Sequence, residues 1–383
     1  MKEFDTLLAQ PLAESKATHL KRRFRLGLVC PDFSQPFSLM RVAGPFEQMA
    51  SENPNLQLVY PNRDAAGRPE LTWDWLLRCD AVFYYEVMGD AHVHHMALAR
   101  MMGKPVWAEF VDDPFSVRPN NPGFPGWHDH EIVKDNIAAA VNVAHVVTVT
   151  SEPLREVFKR QLALKNGNGD KFLVVPEAAL WPPVDLPRQR AVSWRGLGSH
   201  IEDTDSVLEA LASVAAEYAG WDWVLLGEPS RGLIKALRSA TQEKEEGTRV
   251  KVSPFWPSPF EMIRAWSGQS PFLHLTPLAE NEFNAGKSHL AWLEASAIGA
   301  AVIAPSFLTE WRQPGVIPYR SGSLVTGDGQ TFREVLAREM NRFDSGKPHP
   351  AVAEARAAIY PARTLPAMNR RRWAILKRLA GEM

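Results

Sequence analysis

The chain has 383 residues, 45% apolar and 23% charged, more than one typical core needs, so two domains are expected. A formal net charge of −1 excludes a general attraction to nucleic acid or acidic membrane, and the sequence shows neither a signal-peptide pattern nor an apolar run of spanning length. The two cysteines, Cys30 and Cys79, lie in apolar strand-like contexts and read as buried free thiols, which suits the cytoplasm.

Residues 1–23 read as a polar leader ending in Lys21-Arg22-Arg23. The first strand is expected over residues 24–30, with a Pro-bounded loop and then a helix near 38–51. Apolar runs at 56–60, 81–85, 105–110 and 146–150 read as further strands, and 92–102 and 131–144 as helices. Short apolar strands alternating with helices predict a parallel sheet covered on both faces.

The Pro-rich stretch PEAALWPPVDLP at 176–187 breaks this pattern and reads as a linker. A second alternating set begins at 191–194. It continues through a helix at 204–218, a strand at 223–226, a helix at 231–239, a strand at 250–252 and a helix at 259–267. A final helix is expected over about 366–379. The expected organisation is an α/β protein of two Rossmann-like doubly wound domains facing across a cleft, with ligands at the carboxyl ends of the strands. The expected boundaries are a first domain at 24–180, a linker at 181–190, a second domain at 191–350 and a helical segment at 351–383.

The most informative stretch is PLAENEFNAGKSHLAWLEASAIGAAVIAP, Pro277 to Pro305. A strand at 271–275 precedes it. A polar turn follows, then a helix expected to carry Lys287, Ser288 and Glu294, a stop at Gly299 and a strand at 301–304. A Lys at a helix start, where N–H groups and the helix dipole already favour an anion, suits a phosphate. Glu294, among Leu293, Ala295 and Ala297, needs a partner for its charge. This layout resembles the donor-binding segment of GT-B glycosyltransferases of the retaining, glycogen-synthase-like type. In those enzymes a strand, a loop, a helix bearing a glutamate and an xGxPVIA strand grip a nucleotide sugar, and Ile298 to Ala304 fits that ending.

The resemblance implies roles for particular residues. Arg195, in the loop Trp194-Arg195-Gly196-Leu197-Gly198-Ser199-His200, stands where a basic residue contacts the donor diphosphate. Gly196 lets the backbone approach the anion, and His200 and Lys287, with Ser288, complete the site. The commonest retaining pattern has two glutamates eight positions apart, but eight residues before Glu294 stands Gly286. Glu282 and Asn284 are therefore assigned to the transferred sugar and Glu294 to the ribose. Trp256, after the strand at 250–252, borders the nucleobase or fills the core.

In the first domain, Asp112 and Asp113 close the strand at 105–110. They are read as facing the acceptor, as base or hydroxyl anchor, against the alternative of capping a turn. Metal binding is not expected, because no further carboxylate or His cluster accompanies them. Ser38 and Arg41 sit where a first-domain loop approaches the donor phosphates. His92, His94 and His95 read as solvated. The basic, amphipathic tail Asn369 to Leu379 is expected to cross back onto the first domain, with peripheral contact to an anionic surface as the alternative.

The resemblance thus implies a hexosyltransferase with no tightly bound cofactor. A UDP- or GDP-sugar is the co-substrate, and the acceptor is a hydroxyl on a glycan, a lipid-linked glycan or a modified base in DNA. A same-fold epimerase and a non-catalytic sugar-nucleotide binder are the alternatives.

Overall fold

The computed structural model describes residues 20–30, 36–117, 130–162, 171–242, 249–254, 258–308, 311–320, 329–344 and 346–382. Two six-stranded parallel sheets organise them. The first has the order β2-β1-β3-β4-β5-β6, from β1 (Phe24–Val29), β2 (Leu56–Val59), β3 (Ala81–Tyr85), β4 (Val106–Phe110), β5 (Val146–Val149) and β6 (Phe172–Val174). The second has the order β12-β11-β10-β7-β8-β9, from β7 (Gln189–Gly196), β8 (Asp222–Gly227), β9 (Val250–Ser253), β10 (Pro271–Leu275), β11 (Ala301–Pro305) and β12 (Val316–Tyr319).

The central strands read AVFYY, VWAEF, PFLHL and AVIAP and are buried at every position, as helices on both faces require. The helices between them start on side-chain caps. Ser151 accepts from Leu154 N–H, Ser230 from Leu233 N–H, and Thr331 forms a capping box with Glu334. Both thiols are buried.

Several elements depart from the expected ones. Phe172–Val174, Val316–Tyr319, Phe332–Asn341 and Pro350–Ala362 are additional, and the helix expected over 204–218 is split into Ile201–Asp205 and Leu208–Glu217. The helix near 38–51 contains a π-turn at Leu39–Ala43. The helix expected to begin at Lys287 is two pieces, Glu282–Ala285 and Leu290–Ile298, with Lys287 and Ser288 in the turn between. Lys287 therefore does not gain the favourable position at a helix start.

The last helix, Leu365–Leu379, returns to the first sheet. Trp373, Ile375 and Leu376 join Phe24, Leu26, Phe46 and Phe83 in one core, the packing expected of the basic tail. Tyr360 leaves helical dihedrals (φ −102°, ψ 104°) because Pro361 follows it, and the chain crosses between domains there. At this second crossing it meets the first: Ala179 N–H donates to Arg363 O at 2.7 Å, and Ala179 bridges Thr364 in parallel.

Candidate functional site

The carboxyl ends of the two sheets face each other across a cleft. A cavity of about 130 Å³ there is lined from the second domain by Arg195, Gly196, His200, Lys287, Ser288 and Trp311, and from the first by Phe37 and Asp112. The structure thus brings together Asp112, Arg195, Gly196, His200, Lys287 and Ser288.

Arg195 is the seventh residue of β7. Its Nη2 lies 2.5 Å from Glu294 Oε2, the carboxylate being 1% exposed and the guanidinium 21%. Burial raises the Glu294 pKa, Arg195 opposes the rise, and Glu177 adds to it. Glu294 therefore meets its need for a partner through Arg195. Lys287, half-buried, makes no ion pair among the described residues. Its ammonium sits over the Phe283 ring, 4.7 Å from the centre, and the residue lines the cavity.

The glycine loop differs from a phosphate cradle with open amides. A Cβ on Gly196 would lie 2.5 Å from the Trp194 ring and 3.1 Å from His200 Cδ2, so close packing requires glycine there. Gly198 N–H, however, already donates to Glu228 Oε2 at 3.1 Å. His200 Nδ1 is 2.7 Å from Asp203 Oδ2. Burial and the Lys287 charge lower the His200 pKa despite that carboxylate, so the ring is neutral near pH 7.

Asp203 was not singled out from the sequence, since a single Asp in a helix has no pattern. It is 4% exposed, and its Oδ1 accepts from Ala279 N–H at 2.8 Å and from Asn284 Nδ2 at 2.7 Å. Asn284 spends its amide on Asp203 and on Ala279 O. Its N–H groups tie this loop to Asp203 and to Ala279, while its Oδ1 has no hydrogen-bond partner. Glu282 is exposed and borders a separate hollow of about 390 Å³ with Ser116, Ser199, Glu202 and Asp203.

The loop 282–286 docks on the first domain. Phe283 packs against the first-domain core, and Ser151 Oγ donates to Gly286 O at 3.2 Å. A Cβ on Gly286 would lie 3.3 Å from Leu154 Cδ1 and 3.4 Å from Asp113 Cβ. Where the commoner pattern carries a glutamate, this chain carries a domain contact.

The two aspartates separate. Asp112 is half-buried and lines the cavity. Asp113 is 1% exposed and its Oδ1 accepts from Phe115 N–H at 2.8 Å, the geometry of a turn cap. Among the described residues no group of three His, Cys, Asp or Glu side chains is arranged to hold a metal. Trp256 lies outside the described residues.

Arg41 is neither a surface charge nor a cleft residue. At 2% exposure it pairs with Glu109 (3.0 Å) and Glu177 (3.3 Å) and donates to the carbonyls of Val175 and Pro176. The two carboxylates raise its pKa although burial works against the charge. Arg372 of the last helix lies near this network and, through burial and the Arg41 charge, is pushed down to about 10. His95 is also buried, its Nδ1 2.6 Å from Tyr84 Oη, which corrects its reading as solvated. His94 pairs with Asp90 at the surface.

Neither a protein-family model nor a curated protein sequence matches the chain. Solved structures do resemble it. Anabaena HepE in complex with UDP and glucose superposes with TM-score 0.58 at 14% identity, over 93% of this chain and 100% of HepE. The fold is GT-B. A putative UDP-N-acetylglucosamine 2-epimerase from Listeria monocytogenes gives 0.56 at 11% identity, over 94% and 98% of the two chains. The pneumococcal O-GlcNAc transferase GtfA with UDP and GlcNAc gives 0.54 at 12% identity, over 79% of this chain. This chain spans 57% of GtfA's length. In this GT-B chain no helix among the described residues is long and apolar enough to cross a membrane.

Proposed function

We propose that the chain is a glycosyltransferase moving a hexose from a UDP-sugar to a hydroxyl acceptor. The carrying observation is that Arg195 and Lys287 from one domain and Asp112 from the other line a single cavity at the carboxyl ends of both sheets. The UDP complexes of HepE and GtfA support the nucleotide. Lys287 and the Arg195 edge hold the diphosphate as negative charge develops on it. Ser288 donates beside them, and Glu294 takes the ribose hydroxyls when the nucleotide enters. The second domain (191–350) carries the donor and the first (24–180) the acceptor, with Asp112 reaching toward it. The resemblance to the retaining type supports retention, and two protein cations at the diphosphate support a reaction without metal. A glycan or lipid-linked glycan is the acceptor, a modified DNA base the variant of the same reaction, and the cytoplasm its place.

A panel of UDP- and GDP-sugars scored for thermal stabilisation and hydrolysis tests this reading. One UDP-sugar should stabilise the protein and release UDP. Stabilisation without turnover would make the chain a binder. If none stabilises it, the reading fails. The likeness to the Listeria epimerase favours a second reading, which predicts conversion of a UDP-sugar to its epimer without release of UDP.

A further inference from the structure

The two ring nitrogens of His200 have different surroundings. Nδ1 lies 2.7 Å from Asp203 Oδ2. Asp203 stays ionised: burial works against its charge, but His200, Ala279 N–H and Lys287 together lower its pKa. An ionised carboxylate only accepts, so Nδ1 carries the proton of the neutral ring and donates it there. Nε2 is left with a bare lone pair. Nδ1 is the one hydrogen-bonded ring atom among the described residues. The side chain is 24% exposed, and it lines the cavity with Arg195, Gly196, Lys287 and Ser288. Cδ2, the ring atom next to Nε2, stands 3.1 Å from where a Cβ on Gly196 would be, so that edge of the ring lies against a cavity-lining glycine.

Phosphate oxygens are acceptors as well, so the neutral ring meets them lone pair to lone pair, whereas a protonated ring gives them a charge-assisted bond. The groups facing the ring decide between the two. Burial opposes the second proton most, followed by Lys287 from the turn before the helix Leu290–Ile298; Asp203 from its own helix favours the proton, and Arg195 from β7 opposes it. Asp112 lines the wall contributed by the first domain, and Glu228, after β8, is engaged by Gly198 N–H. In the chain by itself burial and the two cations prevail. The diphosphate of a nucleotide sugar sets its negative charge against those cations, cancelling what opposed the proton and adding charge that favours it.

We propose that His200 is a proton-coupled ligand of the nucleotide diphosphate: Nε2 takes one proton from the solvent as the nucleotide binds, donates it to a phosphate oxygen, and returns it to the solvent on release. No bond of the nucleotide changes in this step. Asp203 is the positioning residue, holding Nδ1–H and carrying the counter-charge of the imidazolium. A third permanent cation beside Lys287 and Arg195 would be repelled by both before any anion arrived, whereas this one is neutral until the phosphates come. Affinity for the nucleotide therefore falls as pH rises. The fall spans the window from the His200 pKa of the free chain, below the ordinary value of about 6.5, up to its pKa in the complex, and its limit is about tenfold per pH unit for one proton.

The inference rests on the reading that this cavity takes a nucleotide sugar, and the test separates the two. The probe is whichever member of the sugar-nucleotide panel stabilises the full chain most. Both of its phosphates are esterified and keep their charge across neutral pH, whereas the terminal phosphate of UDP titrates near there itself. Calorimetry of binding in HEPES and in Tris at one pH gives the protons taken up, because the two buffers release them with different heats. Near pH 7.5 the wild type should take up at least about a third of a proton per nucleotide, and its affinity should fall by about two- to tenfold between pH 7 and 8. His200→Gln, which offers a neutral N–H in place of Nε2, should bind without uptake and with an affinity that is flat over that range. Asp203→Asn keeps an oxygen for Ala279 N–H and Asn284 but turns an N–H toward His200 Nδ1. The ring then holds its proton on Nε2 from the start, so this variant should bind with little uptake, whereas a merely structural Asp203 would leave the uptake in place. Wild-type uptake below about a third of a proton, or uptake that persists in His200→Gln, overturns the inference and leaves the transferase reading standing. If no sugar nucleotide stabilises the chain, both fall.

Discussion

Arg195 and Glu294 meet as an ion pair in which the carboxylate is almost wholly buried and the guanidinium keeps one edge at the cavity. The pair ties the end of β7 to the helix Leu290–Ile298. Removing either charge leaves the other poorly compensated. Glu294→Ala is expected to cost about 1–3 kcal/mol of stability, less than a fully buried pair because Arg195 is partly solvated. Glu294→Gln should bind UDP more weakly than wild type and lose discrimination against 2′-deoxy-UDP. Chemical denaturation and nucleotide titration check the two halves, and unchanged discrimination would remove the ribose role.

Lys287 makes no close ion pair among the described residues, the Asp203 charge acting on it without direct contact. A charge-assisted bond to phosphate contributes roughly 1.5–3 kcal/mol, so Lys287→Ala should weaken UDP by more than about tenfold. Uridine affinity should hardly change. Calorimetry with both ligands checks this, and equal losses would mark Lys287 as a folding residue.

Gly286 is pressed between Leu154 and Asp113. Gly286→Ala requires those neighbours to give only a few tenths of an ångström and should cost little. Gly286→Glu, which restores the commoner two-glutamate spacing, should instead wedge the loop off the first domain. A larger radius of gyration by small-angle scattering, with weaker donor binding, is the expected result. An unchanged radius would show that the contact does not hold the domains.

Arg41 compensates Glu109 and Glu177 at once. Arg41→Met leaves both buried carboxylates without their cation, a change that typically costs about 3–5 kcal/mol. Thermal melting should show a large loss, whereas UDP affinity of the folded fraction at low temperature should stay near wild type. A direct phosphate ligand would behave the other way round.

His274 is fully buried on β10, its Nδ1 3.1 Å from Ser193 Oγ. Burial first, and Arg195 second, push its pKa down to about 3. The unfolded chain therefore binds a proton here that the folded one refuses, from the ordinary histidine range of about 6.5 downward. Stability is lost as pH falls from about 6.5 toward 3, and His274→Asn should flatten that part of the curve. Melting temperatures of both proteins between neutral and acidic pH check the sign.

The alternating apolar runs made the two-sheet architecture legible, because parallel strands covered on both faces are written as short continuous apolar segments. The cluster of Arg195, Lys287 and Asp112 was also reachable, since each ends or follows a strand of the pattern. What escaped depends on distant partners. Arg41 meets Glu109 and Glu177 across 68 and 136 residues of chain, so nothing local separates it from a surface arginine. The Gly198 amide is taken by Glu228 from the next strand's end, a pairing that no local pattern shows. The break at Gly286 was hidden for a similar reason. Asn281 caps a separate short helix there, and the contact with Ser151 and Leu154 that ends it lies in the other domain.

The meeting of Ala179 with Arg363 and Thr364 fixes how the molecule can open. Two chain segments join the domains, and they are fastened to each other by a backbone hydrogen bond at the point of passage. Twisting or sliding one domain on the other would shear that bond, whereas swinging about the line through it would not. The domains are therefore joined along one line rather than by two independent tethers, and an opening that keeps this bond is a swing about that line, like a book on one spine.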